Sequence, residues 1–243
     1  MGISALAGDE PKQAGHRRPA DAPRTDRPID RQLDLLRDKI LLLGGKTEVA
    51  VQAAMRALVE RNSNLAQAVA DEDKVIDQME LEIDRLSIDL LASHRPTEHD
   101  LRLVVSVAKI TPILERIADH ASSIAEAALV LNNEPQFYNY IDLSYMAEVA
   151  ADMLQAALDA FTAEDAETSR EVIERDKKID DLYRRVFGTL IDQMISDPAA
   201  ATGAAHLLFV AKHLERIGDY VKDICELNVY LREAVFIKHS VCE

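Results

Sequence analysis

Apolar residues recur at threes and fours through nearly the whole chain after residue 30. Leu33, Leu36, Ile40 and Leu43, then Val51, Met55, Leu58 and Val59, predict a first helix from Arg31. Gly44-Gly45 interrupts this helix without replacing it, and Asn62-Ser63-Asn64 supplies caps and breakers. Ile76, Met79, Ile83, Leu86 and Leu90 form the stripe of a second helix. It stops before Pro96, because proline disfavours helical geometry in the residue preceding it. A third helix is predicted over Glu98–Leu131, with Ile110, Ile117 and Ile124 on its core stripe. Three more follow: Tyr138–Phe161, Ala163–Ile195 and Thr202–Phe236, the last two separated by Ser196-Asp197-Pro198. Nothing alternates with period two. Short loops between long helices imply antiparallel neighbours.

Two segments repeat. Leu114-Glu115-Arg116-Ile117-Ala118-Asp119 returns 100 residues later as Leu214-Glu215-Arg216-Ile217-Gly218-Asp219. Asp73-Lys74-Val75-Ile76-Asp77 returns 103 residues later as Asp176-Lys177-Lys178-Ile179-Asp180. The fold class follows: all-α, two tandem antiparallel three-helix bundles related by internal duplication. The expected divisions are a disordered Pro-rich tail over residues 1–28, a first bundle over 29–134 and a second over 135–238.

The repeats carry acids at matched heights. Asp73 and Asp119 lie equally far in sequence from Pro96, as do Asp77 and Glu115; the second copy repeats this about its own turn with Asp176, Asp180, Glu215 and Asp219. Four carboxylates should therefore share one level in each bundle, to within a helical turn of ~5 Å. Acids at i and i+4 repel by a few tenths of a kcal/mol, so a cation is the direct remedy. Such clusters suit hard ions. Arg116 and Arg216 are the alternative neutralisers. A solvated charged face is the ordinary reading of any single pair. On a helical wheel these acids fall off the core stripes, which predicts an outward-facing cluster. Pro112 has Lys212 as its counterpart, so a proline bend is not common to both copies.

Composition narrows the partners. The formal charge is -15, from 43 acidic and 28 basic residues, and the first 30 residues are neutral. An acidic body argues against nucleic acid and against anionic membrane surfaces. It fits cation collection or docking on a basic partner. Cys225 and Cys242 form no C-x-x-C motif, which suggests a reducing, cytoplasmic setting. No apolar run approaches the ~20 residues of a membrane span. Glu-x-x-His, P-loop, G-x-S-x-G and H-E-x-x-H motifs are all missing, which weakens an oxidase or hydrolase reading. A purely structural helical scaffold is the other alternative. A homodimer is expected, with Val104 and Val105 pointing to a helix-face contact.

Over about Arg31–Phe236 the chain resembles the PhoU family of phosphate-specific transport system accessory proteins. The resemblance rests on Asp73/Asp77, Glu115/Asp119, Asp176/Asp180 and Glu215/Asp219, both E-R-I-x-D strings, and Asp100-Leu101-Arg102. It implies metal ions (iron, or Mn, Mg or Zn) held by these eight acids. It implies negative regulation of phosphate uptake and of phosphate-starvation signalling. The implied partners are a phosphate ABC transporter, through its ATPase subunit, and a sensor histidine kinase. Ala118 in place of the Gly218 type, and a second copy without D-L-R after its turn, depart from the pattern.

Overall fold

A computed structural model describes residues 27–135 and 141–237. Those residues form six long helices and no strand: α1 (Pro28–Val59), α2 (Ser63–Ser93), α3 (Glu98–Leu131), α4 (Ile141–Ala163), α5 (Ala166–Ser196) and α6 (Ala201–Glu233). A single 3-10 turn, Pro198–Ala200, leads into α6. In each half the three helices pack on one another, as the duplication predicts.

The helix ends follow from local chemistry. Thr97 and Asp100 make a reciprocal capping box at the start of α3. Asn62 caps α2 by accepting from the Leu65 amide, and its repeat counterpart Asp165 caps α5 by accepting from Glu167 and Thr168. The residue before each cap turns left-handed, Arg61 at φ 54 and Glu164 at φ 51. This lets the cap amide reach back to Ala57 or Ala160 at 2.9 Å. Glycine is the cheaper residue there. These two side chains are used instead: Arg61 donates to the carbonyls of Asn132 and Glu134, and Glu164 bonds His99 at 2.8 Å.

Several boundaries differ from the sequence reading. Residues 1–26, most of the predicted tail, and 136–140, where the fourth helix was to begin, lie outside the described residues. Arg27 and Pro28 belong to the fold. Pro28 opens α1, where its missing amide costs nothing, and Arg27 reaches Asp100 at 2.9 Å. Gly44-Gly45 does not interrupt α1. A Cβ on Gly44 would stand 2.7 Å from the Leu158 side chain, so this glycine admits α4 rather than breaking α1. Helix α6 ends at Glu233, three residues before the predicted Phe236. Ala234 turns left-handed, and Phe236 folds back to stack on Tyr230 at 4.0 Å.

The halves share one continuous apolar core. Helices α3 and α6 run antiparallel along the junction: the Arg102 side chain donates to the Leu231 carbonyl near one end, and His120 meets His213 at 2.9 Å. The arrangement accounts for a misplaced expectation. Val104 is fully buried, and Val105 half-buried, because α1, α2 and α6 all pack around α3. Val104 has no surface left for another molecule.

Candidate cation sites in the two copies

Each copy presents its acids along a helical hairpin, α2–α3 or α5–α6. In the first, Asp73 and Asp77 lie on α2, and Glu115 and Asp119 on α3. Burial raises the Glu115 pKa to about 7, helped by the nearby charges of Asp119, Glu80, Asp77 and Asp73. Burial and the charges of Asp73 and Asp77 also raise Asp119, against a hydrogen bond with Glu115 that lowers it. The four predicted acids are thus electrostatic neighbours, and Glu80 is a fifth. Burial, Asp84, Asp77 and Asp119 raise Glu80 in turn. The only hydrogen bond from α3 to an acid of α2 that the described contacts give is Ser122 to Asp73, at 3.2 Å. Arg116 makes no ion pair with Glu115 or Asp119; it lines a cavity at the α3–α6 crossing. Sequence reasoning missed Glu80, although Asp73, Asp77 and Glu80 share one helical stripe.

The second copy solves the same problem internally. Lys222 bridges the hairpin, donating to Asp176 at 2.6 Å and to Asp219 at 3.0 Å. Lys212 donates to Glu215 at 2.6 Å, and Arg216 reaches Asp219 at 3.3 Å. Burial opposes the Lys222 charge, but its two carboxylates outweigh that and hold the ammonium above the usual lysine range. Asp176 itself is raised, since burial exceeds the help from Lys222, and its Oδ1 has no hydrogen-bond partner. Asp180 adds its charge to Asp176 without a bridging lysine of its own. The counterparts explain the contrast. Ser122 stands where Lys222 does, Pro112 where Lys212 does, and Glu80 where Tyr183 does, with the Lys212 ammonium 5.3 Å from the Tyr183 ring centre. Arg216 therefore forms the predicted ion pair, whereas Arg116 forms none with Glu115 or Asp119 and only its charge helps, by lowering Glu80.

Outward placement is correct for most of these acids but not for all. Asp77 and Asp119 are exposed; Asp73, Glu115, Asp180, Glu215 and Asp219 are half-buried. Asp176 is buried, at 6% exposure. Gly218 is the cause. A Cβ there would stand 2.9 Å from Asp176 Oδ1 and 2.8 Å from Ile179 Cδ1. The first copy carries that methyl, as Ala118, and its Asp73 stays nearer the surface.

Among the described residues no three side chains already converge as metal ligands. The donor chemistry still separates the copies. The first offers five carboxylates without a lysine or arginine bridge, and in the second three of the four carboxylates, Asp176, Glu215 and Asp219, are held by three cationic side chains.

Known proteins share this architecture. The PhoU domain family model matches residues 40–128 and 143–227, one match in each half. The PhoU homologue of Zymomonas mobilis, described as a phosphate-specific transport system accessory protein, is 36% identical over 203 residues, 84% of this chain and 86% of its own. The Escherichia coli protein of that description is 31% identical over 208 residues, 86% of each chain. The crystal structure of PhoU from Pseudomonas aeruginosa superposes with a TM-score of 0.83 at 35% identity, covering 85% of this chain and 100% of that one. That of the phosphate transport system regulatory protein PhoU from Streptococcus pneumoniae gives 0.81 at 30% identity, covering 86% and 99%.

Proposed function

The chain belongs to the PhoU family, and from that premise we propose that it is a negative regulator of phosphate uptake and phosphate-starvation signalling. It is an accessory protein rather than an enzyme. In this reading it works as a homodimer in the cytoplasm, docking between the ATPase subunit of a phosphate ABC transporter and a sensor histidine kinase. A divalent or trivalent cation, iron, manganese, magnesium or zinc, sets the charge of the docking face.

The acids of the first copy, which no lysine or arginine bridges among the described residues, carry this reading. A bound cation supplies positive charge where Asp73, Asp77, Glu80, Glu115 and Asp119 crowd one another. These residues fit such an ion: all are hard oxygen donors, and four of them come from the two predicted motifs. In the second copy Asp176, Asp180, Glu215 and Asp219 offer the same donor type, but an ion enters only by displacing Lys222 from Asp176 and Asp219. The first copy is thus the responsive one, and the second keeps a fixed charge.

Exchanging the counterpart residues tests this. A ligand that binds only the native state raises stability, by about 2.7 kcal/mol at a hundredfold excess over Kd. The wild-type chain should gain thermal stability on adding Mn(II), Fe(II), Mg(II) or Zn(II). Ser122→Lys should abolish that gain, and Lys222→Ser should add a second ion per chain by elemental analysis. No gain in the wild type with any of these ions, and no ion co-purified without chelator, rules out the cation. Capture of the ATPase subunit or the kinase that is indifferent to chelator rules out its control of docking.

A further inference from the structure

Two histidines meet where the halves join, and neither belongs to the acidic motifs. His120 on α3 and His213 on α6 bring their Nδ1 atoms to 2.9 Å. The ring centres are 5.0 Å apart and the planes tilted by 46°. Tyr220 stacks on the His120 ring, 5.5 Å between centres and 24° between planes, and supports one of its faces. Both imidazoles are half-buried. A hydrogen bond between two imidazole nitrogens needs a lone pair on one of them, so at least one ring is neutral, the form that ligates metal ions.

The duplication shows that the seam does not need this pair for packing. His120 has Tyr220 as its counterpart 100 residues on, and His213 has Ile113 as its counterpart 100 residues back. In the antiparallel register of α3 and α6, Ile113 and Tyr220 fall at one height, as His120 and His213 do. One height is closed by an aliphatic and an aromatic side chain, and the other by two nitrogen donors. Exchanging a hydrogen-bonded pair for apolar groups of like shape is nearly neutral in stability, so packing alone does not account for two histidines here.

We propose that His120 and His213 form a second kind of metal site, for a copper or nickel ion held by the two Nδ1 atoms across the α3–α6 seam. The spacing selects the ion. With a metal–imidazole bond of about 2.0 Å, adjacent nitrogens on a square-planar ion stand ~2.8 Å apart, against ~3.3 Å on a tetrahedral one. The 2.9 Å between these nitrogens is the square-planar spacing, the geometry of Cu(II) and Ni(II) rather than of zinc. Each ring turns to aim its lone pair at the ion, and the donor ring carries its proton on Nε2 instead of Nδ1, so the pair loses no proton overall. Water fills the remaining positions, since no third ligand converges on the pair among the described residues. Charge selects in the same direction. The guanidinium of Arg216 acts on His120 and opposes any cation that enters. Ions held by charge alone, such as Mg(II) or Mn(II), gain nothing here, whereas ions that bind imidazole strongly outweigh the repulsion. The site differs from the acidic clusters in donor atom and in ion, and it stands whether or not those clusters take a cation. A bound ion ties α3 to α6, and so one half of the molecule to the other.

Electron paramagnetic resonance of the full chain with equimolar Cu(II) tests the site. The spectrum should show superhyperfine splitting from two nitrogens, and labelling the histidines with heavy nitrogen should change it. His120→Gln and His213→Gln should each weaken Cu(II) and Ni(II) binding at least about tenfold, since loss of a mere outer-shell partner of a ligand already costs about 10–100-fold. His120→Tyr with His213→Ile places the duplicate's side chains at both positions. It should keep the helical content by circular dichroism and lose the two-nitrogen signal outright. Ser122→Lys, which bridges the first acidic cluster, should leave that signal as it is. A wild type that binds neither Cu(II) nor Ni(II) overturns the site, as does a spectrum without two histidine nitrogens. Binding that survives His120→Gln and His213→Gln also overturns it, because the ion then lies on another of the seven histidines. Binding that Ser122→Lys abolishes overturns it too, because the ion then lies on the carboxylates. A retained Cu(II) signal without any response to Mn(II), Fe(II), Mg(II) or Zn(II) supports this site and tells only against the acidic one.

Discussion

One methyl group separates the two acidic sites at their base. Gly218 lets Asp176 sink beneath Lys222, whereas Ala118 keeps Asp73 nearer the water. Adding the methyl, Gly218→Ala, sets helix propensity against crowding. Alanine gains about 1 kcal/mol in a helix, and overpacking a tight contact costs about 1–3 kcal/mol. Contacts of 2.8 and 2.9 Å, one of them to a carboxylate tied to Lys222, make crowding the larger effect. The expected outcome is a loss of about 1 kcal/mol, read as a lower urea midpoint at unchanged slope; a rise in midpoint would mean that Asp176 moves out freely. The eight acids were legible in the sequence because duplication gave each a counterpart at one height. Of their neutralisers only Arg216 was; the lysines were not. Pro112 against Lys212 reads along the chain as a question of bending, and Ser122 against Lys222 as an ordinary surface difference. Only the packed hairpin shows that both lysines lean over carboxylates.

The helix ends carry most of the structure that patterning left out. Periodicity found six helices and most of their limits, because long apolar stripes survive any local detail. It missed the start of α1, since Arg27 finds its partner 73 residues away on α3. It overran α6, because Ala234 takes a left-handed conformation that its sequence does not announce. The junction of α1 with α3 also has a pH signature. Burial alone would raise Asp100, but hydrogen bonds from Arg27 and Thr97 outweigh it and hold its pKa below the usual 3.8. A carboxylate lowered in the folded state stabilises above its unfolded pKa, and that contribution disappears as pH falls through the folded value. Asp100→Asn should therefore cost about 1–3 kcal/mol at pH 7, the range for a charge-assisted bond that is lost. The gap from wild type should close as the pH is taken below 3.8. Urea unfolding at pH 7 and at lower pH checks this; a gap independent of pH would assign the loss to packing alone.

At the scale of the whole molecule, the division into two bundles describes ancestry better than mechanics. The apolar core is continuous, and α3 with α6 and α1 with α4 cross between the halves. Calorimetry should show one transition, with calorimetric and van't Hoff enthalpies in agreement; two resolved transitions would mean that the junction does not couple the halves. Duplication was legible from the six-residue repeat, but coupling was not, because the contacts that make it, Arg102 with Leu231 and His120 with His213, join residues 129 and 93 positions apart. The lysine bridge of the second copy has a consequence for the molecule as an electrical object. On the reading proposed above, the second cluster has a charge fixed by its own lysines and arginine, and the first an amount that a bound cation would alter. Under that proposal the same chain would carry a reference electrode beside a working one, and its dipole moment, more than its net charge, would be the quantity a partner reads.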